Sequence, residues 1–153
     1  MTHAPLLFLD FDGVLHPAGS AASAHFMHLP RFQHVMIEYP EVEIVVSSGV
    51  ETYAYTLHKL RALFAPSVRS RVIGATAGIY AECEEEMRYR QILRFLRRWE
   101  RLGPWLALDD SEDEFPANCS QLVLCDSSKG FDEQAAARLK AKLRALGTGS
   151  IAA

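Results

Sequence analysis

The chain has 153 residues, the length of one ordinary domain, and folding a chain of that size removes roughly 70% of its unfolded surface from water without covalent staples. Its 49% hydrophobic and 23% charged residues are typical of a soluble globular protein, and nothing in them suggests disorder. The formal net charge of −3 argues against a surface built throughout for nucleic acid and leaves room only for a local basic patch.

Pro5 to Leu9 reads as a continuous apolar strand that ends in Asp10-Phe-Asp-Gly, the pattern of a strand covered on both faces. The run carries no basic leader and is too short for a signal peptide or a membrane span. Residues 14–28 are irregular and hold a flap at most. Leu29-Pro30 opens a helix through Tyr39, because proline suits the first turn and Pro40 ends the pattern. Glu43 to Ser47 is the next strand, and Glu51 to Phe64 a helix that Pro66 closes. A short strand follows at Arg71 to Ile73, then a long amphipathic helix from Glu84 to Leu102, stopped by Gly103-Pro104. Trp105 to Asp110 and Gln121 to Cys125 are strands, and Asp132 to Leu146 is a last helix with Gly147 as its C′ residue.

Strands alternating with helices predict an α/β fold, a Rossmann-like three-layer α/β/α sandwich with a mostly parallel sheet, built as one domain over 1–153. Cys83, Cys119 and Cys125 are odd in number and lack CxxC spacing, so no disulfide framework or zinc site is encoded, and a cytoplasmic location is expected. In such sheets ligands bind beyond the carboxyl ends of the strands. Asp10 and Asp12, Ser47 and Ser48, and Asp109 and Asp110 all fall there.

Asp10 and Asp12 place two carboxylates two residues apart, pointing the same way if strand geometry persists that far. Two anions held close repel unless a cation lies between them, and a hard divalent ion such as Mg²⁺ is the natural partner for such oxygens and for a phosphate. Asp12-Gly13 alone would also suit a simple turn.

The segments Asp-Phe-Asp-Gly-Val-Leu-His-Pro from Asp10, Val-Val-Ser-Ser from Val45, Leu-Ala-Leu-Asp-Asp ending at Asp110, and Leu-Val-Leu-Cys-Asp followed by Gly-Phe together resemble the haloacid dehalogenase (HAD) phosphohydrolase superfamily. The finer likeness is to a small capless subgroup found in bacterial proteins and RNA-repair polyproteins. The resemblance implies a Mg²⁺-dependent phosphatase in which Asp10 is the nucleophile, Asp12 the general acid and base, and Ser47 a hydrogen-bond donor to the phosphoryl group. Gly13, Ser48 and Gly49 are then substrate-binding positions; which serine points inward is open. Asp10, Asp12 through its carbonyl, Asp109 and Asp110 are the implied metal ligands, with Asp113 a further candidate for orienting metal-bound water, while Glu112 and Glu114 read as solvated loop.

Members of the family usually carry lysine where this chain offers Arg88 and Arg90. At 100° per residue, the core stripe of that helix runs through Ile92, Phe95, Leu96 and Trp99, so Arg88 is expected beside the nucleophile and Arg90 in solvent. Arg90, Arg94, Arg97 and Arg101 then form an outer stripe, suited either to a nucleic-acid backbone or to local pairing such as Glu86 with Arg90. His25 and His28 read as loop residues. The implied substrate is a phosphate monoester, small or macromolecular. The alternative is a catalytically weak HAD-fold binding or regulatory domain; a receiver domain orders its acidic residues differently.

Overall fold

The apolar run ahead of Asp10 becomes the central strand of the sheet. A computed structural model describes residues 3–47, 57–76 and 85–147. Its strands are β1 (Leu6–Leu9), β2 (Glu43–Val46), β3 (Val72–Ala75), β4 (Trp105–Asp109) and β5 (Leu122–Leu124), all parallel, in the order β3-β2-β1-β4-β5. The helices are α1 (Leu29–Glu38), α2 (Leu57–Ala62), α3 (Pro66–Arg69), α4 (Met87–Arg98) and α5 (Glu133–Ala145).

Successive strand residues face opposite sides of a sheet, and here both sides are covered. Leu7 and Leu9 of β1, Ile44 and Val46 of β2, and Leu106 and Leu108 of β4 join the larger core with Phe32 and Met36 of α1 and Leu139 and Leu143 of α5. Leu6, Phe8, Val45 and Ala107 point the other way, onto Ile92 and Phe95 of α4. The Phe8 ring stands edge-on to Phe95 and Trp105, at centroid distances of 5.6 and 5.8 Å. The result is the expected three-layer sandwich, with no cap domain among the described residues. The chain builds outward from β1 through β2 to β3, then returns past β1 to lay down β4. That reversal puts the topological switch point between β1 and β4, where ligands of such sheets bind.

Several expected boundaries move. Residues 51–56 of the second expected helix lie outside the described residues. Pro66 does not close that helix but opens the single turn of α3 at an N-terminal position, where its missing N–H is harmless. Strand β3 begins one residue later than expected and runs on to Ala75. Helix α4 starts only at Met87, because Glu86 adopts a left-handed conformation at φ 52°. At its other end the helix stops at Arg98 and Glu100 takes φ 50°, so Trp99 leaves the core stripe and is 59% exposed. Asp132 caps α5 by accepting the Ala135 N–H at 2.9 Å, and Gly147 takes the left-handed φ of 80° just beyond its end. The 14–28 segment is a tethered rim: the Ala18 N–H donates to Ser127 O at 2.7 Å and the His28 N–H to Leu15 O at 2.8 Å. No described helix is long and apolar enough to cross a membrane.

Candidate active site

Register decides which side chains meet. Leu9 pairs with Val46 on one side and Leu108 on the other, so the next residues out, Ser47, Asp10 and Asp109, are neighbours across three strands. Hydrogen bonding continues that far, with the Asp10 N–H on Leu108 O at 3.0 Å and the Ser47 N–H on Leu9 O at 2.7 Å. By the same alternation that sends Leu9, Val46 and Leu108 to the larger core, these three side chains face α4. Ser47 therefore lies on the nucleophile's side, and Ser48 and Gly49 lie outside the described residues.

Helix α4 delivers Arg88 into this row from its first turn. The Arg88 side chain is 13% exposed; its Nη1 lies 3.5 Å from Asp10 Oδ1, and its Nε lies 3.4 Å from Asp109 Oδ2 and 3.2 Å from Glu114 Oε2. Nη1 also donates to the backbone carbonyl of Ser47. Arg90 is exposed, with its Nε donating to Glu85 O at 3.0 Å. Glu114, expected in solvent, is thus drawn into the site, and no local pattern separates it from its acidic neighbours in the sequence. Asp113 stays exposed on the same 3-10 turn.

The two aspartates of the first motif part company. Asp10 is buried, and its Oδ1 accepts the Phe11 N–H at 2.9 Å. Asp12 lies beyond the end of β1, half-exposed, with Oδ1 3.3 Å from His16 Nε2. Between the motif and β4 sits Gly13, at φ +77°, where a Cβ would come 2.0 Å from Asp110 Oδ2. Only glycine offers both that conformation and that space.

Carboxylate oxygens of Asp10, Asp109 and Asp110 lie within 4.8 Å of one another; the Asp12 side chain is not part of this cluster. Burial above all, then the Asp109 charge, pushes the Asp10 carboxyl well above the usual carboxylate range, with Asp110 adding and Arg88 opposing. Burial likewise pushes Asp109 up to about 6, against the pull of Arg88 and of the Ser111 N–H, which donates to Asp109 Oδ1 at 3.0 Å. Burial would lower the Arg88 pKa, yet Asp109, Asp10 and Glu114 outweigh it and hold the guanidinium above its ordinary value. One guanidinium thus faces more carboxylates than it neutralises. Hard oxygen donors in this number suit a divalent cation such as Mg²⁺, so Asp10, Asp109 and Asp110 can hold one.

The buried Ser47 Oγ has no hydrogen-bond partner among the described residues. A buried hydroxyl left unpaired is costly, so its orphaned state at this edge fits an oxygen-rich ligand. Thr76, at the end of β3 and not singled out by any motif, also has a buried Oγ1 without a partner among the described residues. His28 serves as structure, packing at the start of α1 with Nε2 2.8 Å from Lys129 O.

No curated protein and no solved structure matches the chain. The motif order, the parallel sheet with its switch-point acids and the match of residues 6–136 to the family described as the HAD domain in Swiss Army Knife RNA repair proteins agree, and the chain belongs to that family.

Proposed function

We propose that the protein is a Mg²⁺-dependent phosphatase that cleaves a phosphate monoester through an aspartyl-phosphate intermediate, with the phosphorylated end of a nucleic acid as its substrate class. The observation that carries the proposal is the row Ser47, Asp10 and Asp109 across the switch point, closed by Arg88. An Asp10 oxygen attacks phosphorus; the new O–P bond forms as the ester O–P bond breaks, and Asp12 gives its proton to the departing oxygen. Water then attacks the phosphoaspartate, Asp12 takes the water's proton, the Asp10 O–P bond breaks and inorganic phosphate leaves.

The Ser47 hydroxyl and Arg88 bind phosphoryl oxygens and hold the group in line. Asp110 and Asp10, with the Asp12 carbonyl, would hold Mg²⁺, which supplies charge neutralisation at the phosphoryl group. Asp109, pinned by Arg88 and the Ser111 N–H, completes the carboxylate cluster beside them. The nucleic-acid part of the proposal draws on the family's RNA-repair setting and on α4, which carries five arginines and no acidic residue.

The test is release of phosphate from an aryl phosphate and from a phosphorylated oligonucleotide, with Mg²⁺ and with chelator. Native protein is expected to turn over both, and Asp10→Asn neither, while keeping its circular dichroism spectrum. Unchanged turnover in folded Asp10→Asn would refute the mechanism. The competing binding-domain function draws on Arg88, whose contacts with Asp10 and the Ser47 carbonyl would have to loosen to admit phosphate; tight oligonucleotide binding without turnover would favour it.

A further inference from the structure

His16 is a polar residue of the first motif that the proposed chemistry leaves unused, enclosed beside the mouth of the site. It is 1% exposed, four residues after Asp12, in a tight loop where the two backbones form an isolated bridge. The Val14 and Leu15 N–H groups both donate to Phe11 O, at 3.1 and 2.8 Å. That turn brings the imidazole back beneath the Asp12 carboxylate.

Three contacts fix the ring. The Phe26 N–H donates to His16 Nδ1 at 3.2 Å, the His25 ring stacks on it at 4.3 Å and 14°, and the Phe26 ring meets it edge-on at 5.7 Å. Because Nδ1 accepts, the proton belongs on Nε2. Phe26 makes its donation from a left-handed backbone at φ 65°, a strained conformation for an aromatic residue that persists only where the surroundings demand it. Its ring is held in turn against Phe11, at 5.6 Å.

The Nε2–H so oriented has no well-aligned acceptor among the described residues, and Asp12 Oδ1 lies 3.3 Å away. Asp12 itself has a half-exposed side chain. A fixed, buried donor facing a half-exposed carboxylate gains a hydrogen bond by a small rotation of the carboxylate. We infer that His16 is a positioning residue: its Nε2–H holds one oxygen of Asp12 and so aims the other at the leaving oxygen of the substrate. This rests on the phosphatase proposal and goes beyond it by assigning the aiming of the acid to a rigid histidine clamp built by His25 and Phe26.

The test uses leaving-group chemistry in the full chain. An alkyl phosphate needs its leaving oxygen protonated, whereas a dinitrophenyl phosphate departs without help, so only the first depends on how well Asp12 is aimed. His16→Leu and His16→Asn are expected to lower kcat/KM for the alkyl ester at least about tenfold and for the dinitrophenyl ester less than about threefold. His16→Gln, whose amide nitrogen reaches the place of Nε2, should restore the alkyl rate to within about threefold, while the asparagine amide falls short of it. The Mg²⁺-induced rise in melting temperature should be the same in all four proteins. Equal losses on both esters, or no rescue by glutamine relative to asparagine, would overturn the inference with the phosphatase proposal intact. Absence of Asp10-dependent turnover in the native protein would remove both.

Discussion

At the scale of single residues, the site is a contest between carboxylates that repel and one guanidinium that binds them. Arg88 touches Asp10, Asp109 and Glu114 at once, whereas Arg90 points to solvent. Arg88→Ala should therefore lower kcat/KM by about a hundredfold or more, the scale of removing a donor from a charge-stabilising site, and Arg90→Ala by little. Equal losses would show that Arg88 does not act at the phosphoryl group. The same contest predicts a pH dependence. Asp109 has a folded pKa of about 6 against an ordinary 3.8, and Asp10 shifts in the same direction, so the folded state holds these protons more tightly than the unfolded chain. The Asp109 contribution to stability is full at low pH and is lost as pH rises from about 4 through about 6, and Asp10 acts in the same direction. Mg²⁺ binds only the ionised form, so it should raise the melting temperature more at pH ~7.5 than at pH ~5. At a concentration a hundredfold above its Kd, the gain is about 2.7 kcal/mol, or roughly 5–10 °C for a chain of this size. A larger shift at the lower pH would contradict the carboxylate cluster as the binding site. Asp10, Arg88 and the acidic pair were legible in the sequence because apolar strands and helical phase address them. Glu114 and His16 were not, since their places beside Arg88 and Asp12 arise from chain folding back in space and neither follows from period or spacing.

At the scale of elements, α4 is the described helix that covers its face of the sheet and also the element that supplies Arg88. Its hold on the sheet rests on few side chains: Ile92 and Phe95 are buried, and the Phe95 ring stands against Phe8 and comes 3.2 Å from where a Cβ on Gly74 would lie. Phe95→Ala should destabilise the protein by about 3–5 kcal/mol in urea unfolding, since a large aromatic would leave a cavity between helix and sheet. A loss below about 1 kcal/mol would mean that other contacts seat the helix. The sequence foretold that α4 exists and which face it buries, but not where it ends. Its limits are set by left-handed Glu86 and Glu100, and glutamate carries no signal for that conformation. Pro66 misled for the complementary reason: proline ends one helix and begins another equally well, and only the tertiary path chooses. The strand register, which selects Ser47 and Asp109 for the α4 side, was hidden because residues on both faces of a buried parallel strand are apolar.

At the scale of the whole molecule, the distribution of charge says more than its total. A chain of net charge −3 concentrates five arginines, without one acidic residue, in the twelve positions of α4. That helix is about 18 Å long and starts at the site. Arg94, Arg97 and Arg98 are exposed along it, and at its far end Trp99 is exposed with the Arg98 guanidinium 5.7 Å from its ring centroid. Cations leading away from the proposed phosphoryl site and ending at an aromatic face suit a single-stranded nucleic acid, whose phosphates pair with arginine and whose bases stack on indole. Binding energy gained there, remote from the reacting bond, can be used to stabilise the transition state. A phosphorylated oligonucleotide should then show at least about tenfold higher kcat/KM than a mononucleotide or sugar phosphate, equivalent to only ~1.4 kcal/mol. Each phosphate contacted on a single strand contributes a slope of about −0.7 in log affinity against log salt, so three contacts would weaken binding roughly twentyfold over a fourfold rise in salt. Arg97→Ala with Arg98→Ala should flatten that slope by about 1.4 and leave aryl phosphate turnover unchanged. An unaltered slope would place the nucleic acid elsewhere on the surface, and a free metabolite as the best substrate in a full panel would refute the nucleic-acid class while sparing the Asp10 chemistry.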